Sequence, residues 1–327
     1  MTEGGDDPAR TLKQFLVSWD GPLAALGAQA TVPCGAEADR PPYSRDLMTD
    51  QPLVSIITPS FNQAAFLLDT LRSVGEQSYP RIEHIVLDGA STDGSVDLMR
   101  DWAAGHPIIW RSEPDGGQAD AIRRGAEMAT GDVVAWLNSD DVYLDASVIA
   151  EVVACFKPGV DVVTGAGWYL DGAGQKVERI PVFPSRIGHE TLKHVDWLLQ
   201  PATFVRRELF LSFPIDTDLH FAFDWDLFIR LSQNAKITTI DRELAGYRRH
   251  GTGKTVSGGM RRQRELLLVT RRYQGRYSVG SLVLTAVVGL HGLAERVPAP
   301  IGRKIVGVLT RFAKLTQAIT DGRGIQY

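Results

Sequence analysis

The sequence has little cysteine and no long uninterrupted apolar segment. Two cysteines, Cys34 and Cys155, occur in 327 residues, and they lie far apart. This excludes a cysteine-rich zinc site, disfavours a disulfide scaffold and is typical of a reducing compartment. The longest apolar run, Val279 to Leu293, is interrupted by Gly280, Gly289 and His291, among others. It falls short of the roughly 20 residues that span a bilayer, so we expect that it does not cross a membrane.

Other signals are missing as well. The chain contains no G-x-x-x-x-G-K-[ST] phosphate loop and no G-x-G-x-x-G after a predicted strand, which counts against two common classes of nucleotide-binding protein. The segment Met1 to Asp7 lacks the basic start and apolar run of a signal peptide, so we expect a cytoplasmic protein. The content of 44% hydrophobic and 23% charged residues is typical of a globular protein.

The charges are distributed unevenly along the chain. Residues 251–327 contain 13 Lys or Arg against 3 Asp or Glu, whereas residues 1–250 contain 22 against 36. A basic tail on an acidic body indicates an anionic partner, either membrane lipid or nucleic acid, although a solvated helical face has the same composition. We favour the membrane and expect no nucleic acid.

From Leu53 onward, short β-branched runs alternate with segments of helical periodicity, which predicts an α/β fold with a mainly parallel sheet. The predicted strands are Val54–Thr58, Ile82–Leu87, Ile108–Trp110 and Val133–Leu137. The predicted crossover helices are Ala64–Val74, Ser95–Ala104 and Gln118–Ala129. Residues 1–50 lack this pattern and are interpreted as a peripheral N-terminal extension.

Polar residues collect where the predicted strands end. Ligands of open α/β sheets bind in the crevice beyond the carboxyl ends of the strands. We therefore expect three turns to share one rim: Pro59–Asn62, Asp88–Asp93 and Asn138–Asp141.

Two of these turns carry carboxylates with a chemical interpretation. Asp88, at a strand end, is expected to accept hydrogen bonds from a nucleotide base or ribose, while Asp93 holds the loop. Asp140 and Asp141 are adjacent carboxylates of the kind that hold Mg²⁺ together with substrate phosphate oxygens. Helix caps and Asx turns explain the same residues, so the turns alone do not decide between structure and function.

Together these turns resemble those of family 2 glycosyltransferases with the GT-A fold. The resemblance extends from about Leu53 to Thr255 and includes several further ordered motifs: Thr58–Asn62, Glu113–Gln118, Gly131–Asp132, Gln200–Phe204 and Phe223–Asp226. It implies a Rossmann-like, mainly parallel sheet flanked by helices. It also implies transfer of a sugar from a nucleotide-diphosphate sugar to a glycan or lipid-linked acceptor, usually with inversion and with bound Mg²⁺ or Mn²⁺.

Applied residue by residue, the resemblance puts Pro59 and Asn62 beside the donor nucleotide and Asp88 at its base or ribose. Arg123 stands where relatives often carry asparagine. Contact with a donor phosphate and a place on the surface are both open for this arginine.

The segment Asn138–Asp140 is the counterpart of the metal-binding D-x-D motif of the family. Its first position is asparagine here, so Asn138 is expected to contact the donor. Asp140 is the expected metal ligand, and Asp141 is the next candidate.

A direct displacement also needs a base for the acceptor hydroxyl, and a carboxylate is the simplest choice. Asp226 and Arg230 are four residues apart on a predicted helix and can form a surface ion pair. Asp224 has no such partner and matches the aspartate of the acidic motif of the family, although Phe223 replaces the glutamate often found before it. We therefore expect Asp224 to be the general base.

A basic, glycine-rich loop, Arg248–Thr255, follows the predicted strand Ile237–Tyr247. Such a loop suits a lid that closes over a diphosphate. His250 is a candidate metal ligand or phosphate donor, and Lys254 is a candidate point charge for the phosphates.

The predicted catalytic domain is residues 51–255, and residues 256–327 are interpreted as a basic, amphipathic helical extension. Its basic residues include Arg261, Arg262, Arg264, Arg271, Arg272, Arg276, Arg303, Lys304, Arg311 and Lys314. We expect this extension to attach the protein peripherally to the anionic inner face of the cell membrane, near an envelope-glycan acceptor. Packing against the catalytic domain or a second subunit is the alternative, which leaves a homo-oligomer open.

Two further functions remain compatible with the sequence. Asn138 keeps open a catalytically silent relative that binds a sugar nucleotide. Adjacent aspartates at a strand end also occur in other nucleotide-phosphate enzymes built on such a sheet. Neither the donor sugar, the nucleotide nor the acceptor follows from the sequence.

Overall fold

The computed structural model describes residues 51–183, 187–251, 253–254 and 258–294, of which 291–294 are described by their backbone alone. The predicted extension 1–50 lies outside the described residues. So do the basic residues Arg303, Lys304, Arg311 and Lys314.

The first half of the fold consists of parallel βα units. Its elements are β1 (Val54–Ser60), α1 (Ala64–Gly75), β2 (Ile82–Asp88), α2 (Ser95–Ala103), β3 (Ile109–Ser112), α3 (Gln118–Met128) and β4 (Val133–Trp136). Strand β1 pairs in parallel with β2 and β4, and β2 pairs in parallel with β3. The predicted strands and helices are confirmed, with ends that differ by one or two residues.

Close packing explains why the helices form a layer against the sheet. Strand β1 is buried at each of its positions, as expected of a central parallel strand covered on both faces. Helix α3 lies on β1 at Gly125, where a Cβ atom would come within 2.5 Å of the Ile57 side chain. A glycine at this position therefore allows the close approach of helix and strand.

The second half mixes strand directions. Its elements are β5 (Val142–Tyr143), α4 (Val148–Cys155), β6 (Val162–Leu170), β7 (Lys176–Ile180), α5 (His189–Leu192), a 3₁₀ turn (Gln200–Ala202), β8 (Thr203–Arg206), α6 (Arg207–Leu211), α7 (Phe223–Ser232), β9 (Ile237–Arg248), α8 (Gly259–Gln274) and α9 (Val279–Ala294). Within the described residues the sheet order is β3-β2-β1-β4-β8-β6-β9-β5, with β7 paired to β6. Strand β8 is antiparallel to both of its neighbours.

Helix α8 belongs to the folded body. Leu267 and Val269 are buried, and Val269 joins the same hydrophobic core as Phe228 and Leu231 of α7. The predicted boundary after residue 255 therefore does not coincide with a break in packing. Across the described segments, no helix has both the length and the apolar character that crossing a bilayer requires.

Candidate active site

The turns after β1 and β2 are joined by hydrogen bonds at the carboxyl edge of the sheet. The Asn62 backbone N–H donates to Ser91 Oγ at 2.7 Å, and Asn62 Oδ1 accepts the Thr92 backbone N–H at 2.9 Å. Asn62 adopts a left-handed conformation with φ 52°. Pro59 is buried within β1, whereas the adjacent Phe61 is 61% exposed at the rim. Phe61 is not among the predicted site residues, although it lies within the motif Thr58–Asn62.

Asp88 holds the β2 turn together. Its side chain is 2% exposed and accepts hydrogen bonds from the Ser91 hydroxyl and backbone N–H and from the Ser112 hydroxyl. Asp93 accepts the backbone N–H of Ala64, the first residue of α1, at 2.8 Å. Asp88 thus has a structural task besides the predicted contact with a nucleotide, and Asp93 holds the loop as expected.

The two aspartates of the turn after β4, Asp140 and Asp141, differ in burial. Asp141 is buried, with Oδ1 accepting the Arg248 backbone N–H at 2.9 Å and Oδ2 accepting Asn138 Nδ2 at 3.0 Å. Burial and the neighbouring Asp140 charge raise the pKa of Asp141. The Asp140 side chain is 19% exposed, and its Oδ2 lies 2.9 Å from His250 Nε2. The expectation for a metal ligand therefore narrows to Asp140, with His250 beside it.

A chain of amide hydrogen bonds runs from this turn to the basic loop. Gln118 Nε2 donates to Asn138 Oδ1 at 2.6 Å, and Lys254 Nζ donates to Gln118 Oε1 at 2.6 Å. Asn138 Nδ2 also donates to Gln200 Oε1 at 3.1 Å. Gln118 and Gln200 both lie within motifs of the family resemblance, but no pattern in the sequence predicts these contacts.

The candidate metal ligands at this turn fit a divalent cation that takes its remaining ligands from a substrate. No group of three His, Cys, Asp or Glu side chains is arranged to hold a metal ion in the part of the chain that the structure describes. Asp140 and His250 offer one carboxylate and one imidazole, which are ligand types accepted by Mn²⁺ and related ions. A cation with few protein ligands and several substrate oxygens is the usual arrangement for diphosphate substrates.

Asp224 lies in the first turn of α7, where burial raises the pKa of its carboxyl group. The positive charges of Lys254 and Arg262 partly offset this effect. Asp196 lies before the 3₁₀ turn, with part of its surface in solvent. Desolvation of its carboxyl group and the Asp224 charge raise the pKa of Asp196. Asp196 and Asp224 are thus electrostatic neighbours. Sequence reasoning missed Asp196, because no local pattern links it to α7.

Lys254, near the end of the basic loop, interacts electrostatically with Asp224 of this acidic pair. Its Nζ is 5.6 Å from the centre of the Phe221 ring and 5.3 Å from that of Phe223. Burial lowers the pKa of Lys254 to about 8, although Asp224 and Glu265 favour its charged form. The lysine therefore connects the Asn138 turn, through Gln118, with the start of α7.

Asp226 is buried, which corrects the expectation of a surface pair. Its side chain is 0% exposed, and Oδ2 accepts Arg230 Nε at 2.9 Å. Oδ1 accepts Arg272 Nη1 at 2.6 Å and the Tyr273 hydroxyl at 2.8 Å. The predicted ion pair exists, but it forms part of a buried network between α7 and α8.

Arg123 is placed by its own helix. Its guanidinium contacts Asp120 at 2.7 Å and Glu127 at 2.7 Å, and its side chain is 38% exposed. The hydrogen bond to Asp120 raises the pKa of Arg123. Of the two interpretations left open, the structure favours the surface residue.

Comparison with known proteins decides the family. The sequence model described as glycosyl transferase family 2 matches residues 55–223, more than half of the chain. The chain belongs to this family. The match ends one residue before Asp224.

Two curated relatives illustrate the sequence similarity. An uncharacterized glycosyltransferase of Mycobacterium tuberculosis is 44% identical over 107 residues, which are 32% of this chain and 40% of the relative. A PGL/p-HBAD biosynthesis glycosyltransferase of Mycobacterium bovis is 30% identical over 198 residues, which are 58% of this chain and 73% of the relative. The chain thus spans 40% of the length of the first relative and 73% of the second.

Two solved structures confirm the predicted GT-A fold. A mannosyltransferase from Pyrobaculum calidifontis, in complex with GDP-Man and Mn²⁺, has a TM-score of 0.56 at 20% identity, and the match covers 92% of this chain and 88% of the mannosyltransferase chain. TarS from S. aureus, in complex with UDP-GlcNAc, has a TM-score of 0.54 at 14% identity and covers 84% and 93%. Both neighbours are structures with a bound nucleotide sugar.

Proposed function

We propose that this glycosyltransferase transfers a sugar from a nucleotide-diphosphate sugar to a hydroxyl of a glycan or lipid-linked acceptor, with inversion and with Asp224 as general base. The observation that carries this proposal is the link between the two sides of the site. Asp224 has a raised pKa and is the electrostatic neighbour of Lys254, which is hydrogen-bonded through Gln118 to the Asn138 turn.

The donor nucleotide would lie across the joined turns of β1 and β2. The exposed ring of Phe61 is available to stack on a base, while Asn62 and Asp88 hold the backbone against which the base and ribose rest. Pro59 is buried in β1 and would support this edge of the sheet from the protein interior. The complexes of the two structural neighbours with GDP-Man and UDP-GlcNAc support a nucleotide sugar as the ligand class.

Asp140, with His250 beside it, would hold a divalent cation, Mn²⁺ or Mg²⁺, next to the donor diphosphate. When bound, such a cation stabilises the negative charge that develops on the leaving diphosphate. Lys254 is suited to add a second positive charge there, because burial has already removed much of its hydration. The Mn²⁺ in the mannosyltransferase structure supports a cation in the family.

The reaction itself is a single displacement. The acceptor hydroxyl gives its proton to an Asp224 carboxylate oxygen as its own oxygen bonds to the anomeric carbon. The bond between that carbon and the diphosphate oxygen breaks on the opposite face, which inverts the configuration. A raised pKa makes Asp224 a better proton acceptor near neutral pH than an ordinary aspartate.

A catalytically silent relative is the second candidate. It is favoured by Asn138 in the D-x-D position and by the full engagement of both Asp141 oxygens inside the protein. Such a protein would bind a nucleotide sugar and transfer nothing.

One experiment separates the two candidates. The purified protein is incubated with a panel of nucleotide sugars, with and without Mn²⁺, and both binding and release of nucleoside diphosphate are measured. We expect metal-dependent release with at least one donor. Binding of a donor without release in the presence of any offered acceptor would favour the silent relative.

We also propose attachment to an anionic membrane surface. Residues spaced three or four apart form an exposed stripe on α8: Arg261, Arg264, Leu268 and Arg271. An exposed apolar stripe follows on α9: Val279, Leu282, Val283 and Leu290. Arg271 Nη2 donates to Thr285 Oγ1 at 3.0 Å, which joins the two helices. Arginines beside an apolar stripe suit anionic headgroups and the acyl chains below them.

Vesicle flotation tests this attachment. The intact chain should float with anionic vesicles at low salt and should be released by salt, whereas Arg264→Glu combined with Leu282→Asp should not float. Arg100→Glu, on the exposed surface of α2, is the matched charge control. If the intact chain ignores anionic vesicles, or if sedimentation shows a dimer that Leu282→Asp dissociates, a second copy covers this face instead.

A further inference from the structure

The start of α7, which carries Asp224, is capped by a side chain from α8. Glu265 Oε2 accepts the backbone N–H of Phe221 at 2.5 Å and that of Ala222 at 3.3 Å. Ala222 is the N-cap residue of α7 and has no side-chain oxygen of its own. The free N–H groups at the entry to this helix therefore receive an acceptor from a residue more than 40 positions later in the chain.

Burial indicates that this cap is the main task of Glu265. The residue is 8% exposed, and placing a carboxylate there is unfavourable unless hydrogen bonds compensate. Its other oxygen lies 3.4 Å from Arg261 Nε, whose side chain is 65% exposed. An ion pair with so exposed a partner contributes little. The two backbone N–H groups, together with the nearby positive charge of Lys254, thus account for a buried acid at this position.

The same helix holds α7 at a second point, on the other side of Asp224. Arg272 and Tyr273 of α8 both donate to Asp226 Oδ1, which is buried two residues after Asp224. Asp224 therefore lies between two positions that α8 fixes, residues 221–222 before it and residue 226 after it. Its own Oδ1 accepts the local backbone N–H of Trp225, at 2.8 Å.

On the basis of the proposed function, we propose that Glu265 is a positioning residue for the general base: by capping α7 from α8 it fixes the direction in which the Asp224 carboxylate meets the acceptor hydroxyl. The effect follows from geometry. Without the cap, the N–H groups of Phe221 and Ala222 must turn toward water, and the first turn of α7 can then fray. A displacement of a base by about 1 Å is enough to reduce catalysis strongly.

This role separates the turnover number from donor binding. Most of the proposed donor contacts lie on the turns of β1, β2 and β4, which Glu265 does not touch, whereas Lys254 is influenced by its charge. KM for the donor should therefore change less than kcat. Glu265→Ala should lower kcat by about tenfold or more, because the base is no longer held in its productive position. Glu265→Gln keeps an oxygen that can accept both N–H groups and should recover most of kcat.

The test uses the full chain, a water-soluble acceptor and three variants: Glu265→Ala, Glu265→Gln and the control Gln263→Ala. Steady-state kinetics gives kcat and the donor KM. Hydrogen–deuterium exchange gives the protection of the peptide that covers residues 220–228. We expect faster exchange in that peptide for Glu265→Ala alone, together with the loss of kcat. The thermal unfolding midpoint of each variant shows whether it is folded at the assay temperature.

Other outcomes would overturn the inference. If exchange in residues 220–228 were unchanged in Glu265→Ala, Glu265 would not cap α7. If exchange rose while kcat stayed at the wild-type value, or if Gln lowered kcat as much as Ala, the cap would not position the base. A wild-type chain that transferred no sugar would instead contradict the proposed function, and the exchange data would still decide whether the cap exists.

Discussion

The proposed donor side of the site, formed by the turns after β1, β2 and β4, and the proposed base side, formed around Asp224, are built in different ways. On the donor side, short turns follow neighbouring parallel strands, and their residues bind one another directly, as Asn62 binds Ser91 and Thr92. On the base side, Asp224 depends on residues far along the chain, Glu265 and Arg272 on α8 and Asp196 before the 3₁₀ turn. Parallel strands bring their turns to one edge by topology, whereas helix packing alone joins α7 to α8.

The largest effect is expected from the donor side, at Asp140. Asp140→Ala removes the one partly exposed carboxylate of the turn and should abolish Mn²⁺-dependent release of nucleoside diphosphate. Asp141→Asn should instead lower stability, since both oxygens of Asp141 accept buried hydrogen bonds. Activity titrated with Mn²⁺ measures the first effect and urea unfolding the second. Full activity of Asp140→Ala, or of the wild type with excess chelator, would rule out the metal.

The next effect isolates chemistry on the base side. Asp224→Asn preserves the shape of the side chain and removes the base, so transfer should fall by about 10²-fold or more. Donor affinity should persist, because the donor turns are separate from α7. Isothermal titration with the nucleotide sugar and steady-state kinetics provide the two measurements. Weaker donor binding with unchanged turnover would mean that Asp224 contacts the donor and is not the general base.

Asp226→Asn should reduce the stability of the fold. One neutral amide cannot replace a carboxylate that accepts from Arg230, Arg272 and Tyr273, and breaking a buried pair of this kind costs about 3 kcal/mol. Urea unfolding measures the change in the free energy of unfolding. Asp218→Asn, at an exposed position before α7, is the matched control and should change it by less than about 0.5 kcal/mol. Equal stability of the two variants would mean that α8 does not clamp α7.

The smallest effect concerns Lys254, which joins the two sides. Burial lowers its pKa from 10.5 to about 8, so between these values the unfolded chain holds a proton that the folded chain has lost. The cost of burying the charge is therefore fully present below pH 8 and disappears as the pH rises toward 10.5. Relative to Lys254→Met, the wild type should gain on the order of 1–2 kcal/mol between pH 7 and pH 10. Urea unfolding over this range measures the gain, and a constant difference would place the lysine in water.

The predictability of the site follows the same division. The strands, the crossover helices and the turns of the donor side followed from the alternation of β-branched runs with helical periodicity and from the position of polar residues at strand ends. Asp226 was predicted to lie at the surface, since spacing along one helix reveals a partner at Arg230 but says nothing about a second helix. The same limit hid Glu265, whose partners are backbone N–H groups without a sequence signature.

By itself, the sequence determined the family, the parallel half of the sheet and the rim on which Asn62, Asp88 and Asp140 stand, whereas the choice of Asp224 over Asp226 as the base stays a prediction. Tertiary structure alone decided which side chains are buried and already hydrogen-bonded within the protein. It buried Asp141, left Asp140 partly exposed, and made α8 part of the folded body. The physical reason is that periodicity and motif spacing report contacts along a single element, whereas burial and hydrogen-bond satisfaction depend on elements that meet only after the chain has folded.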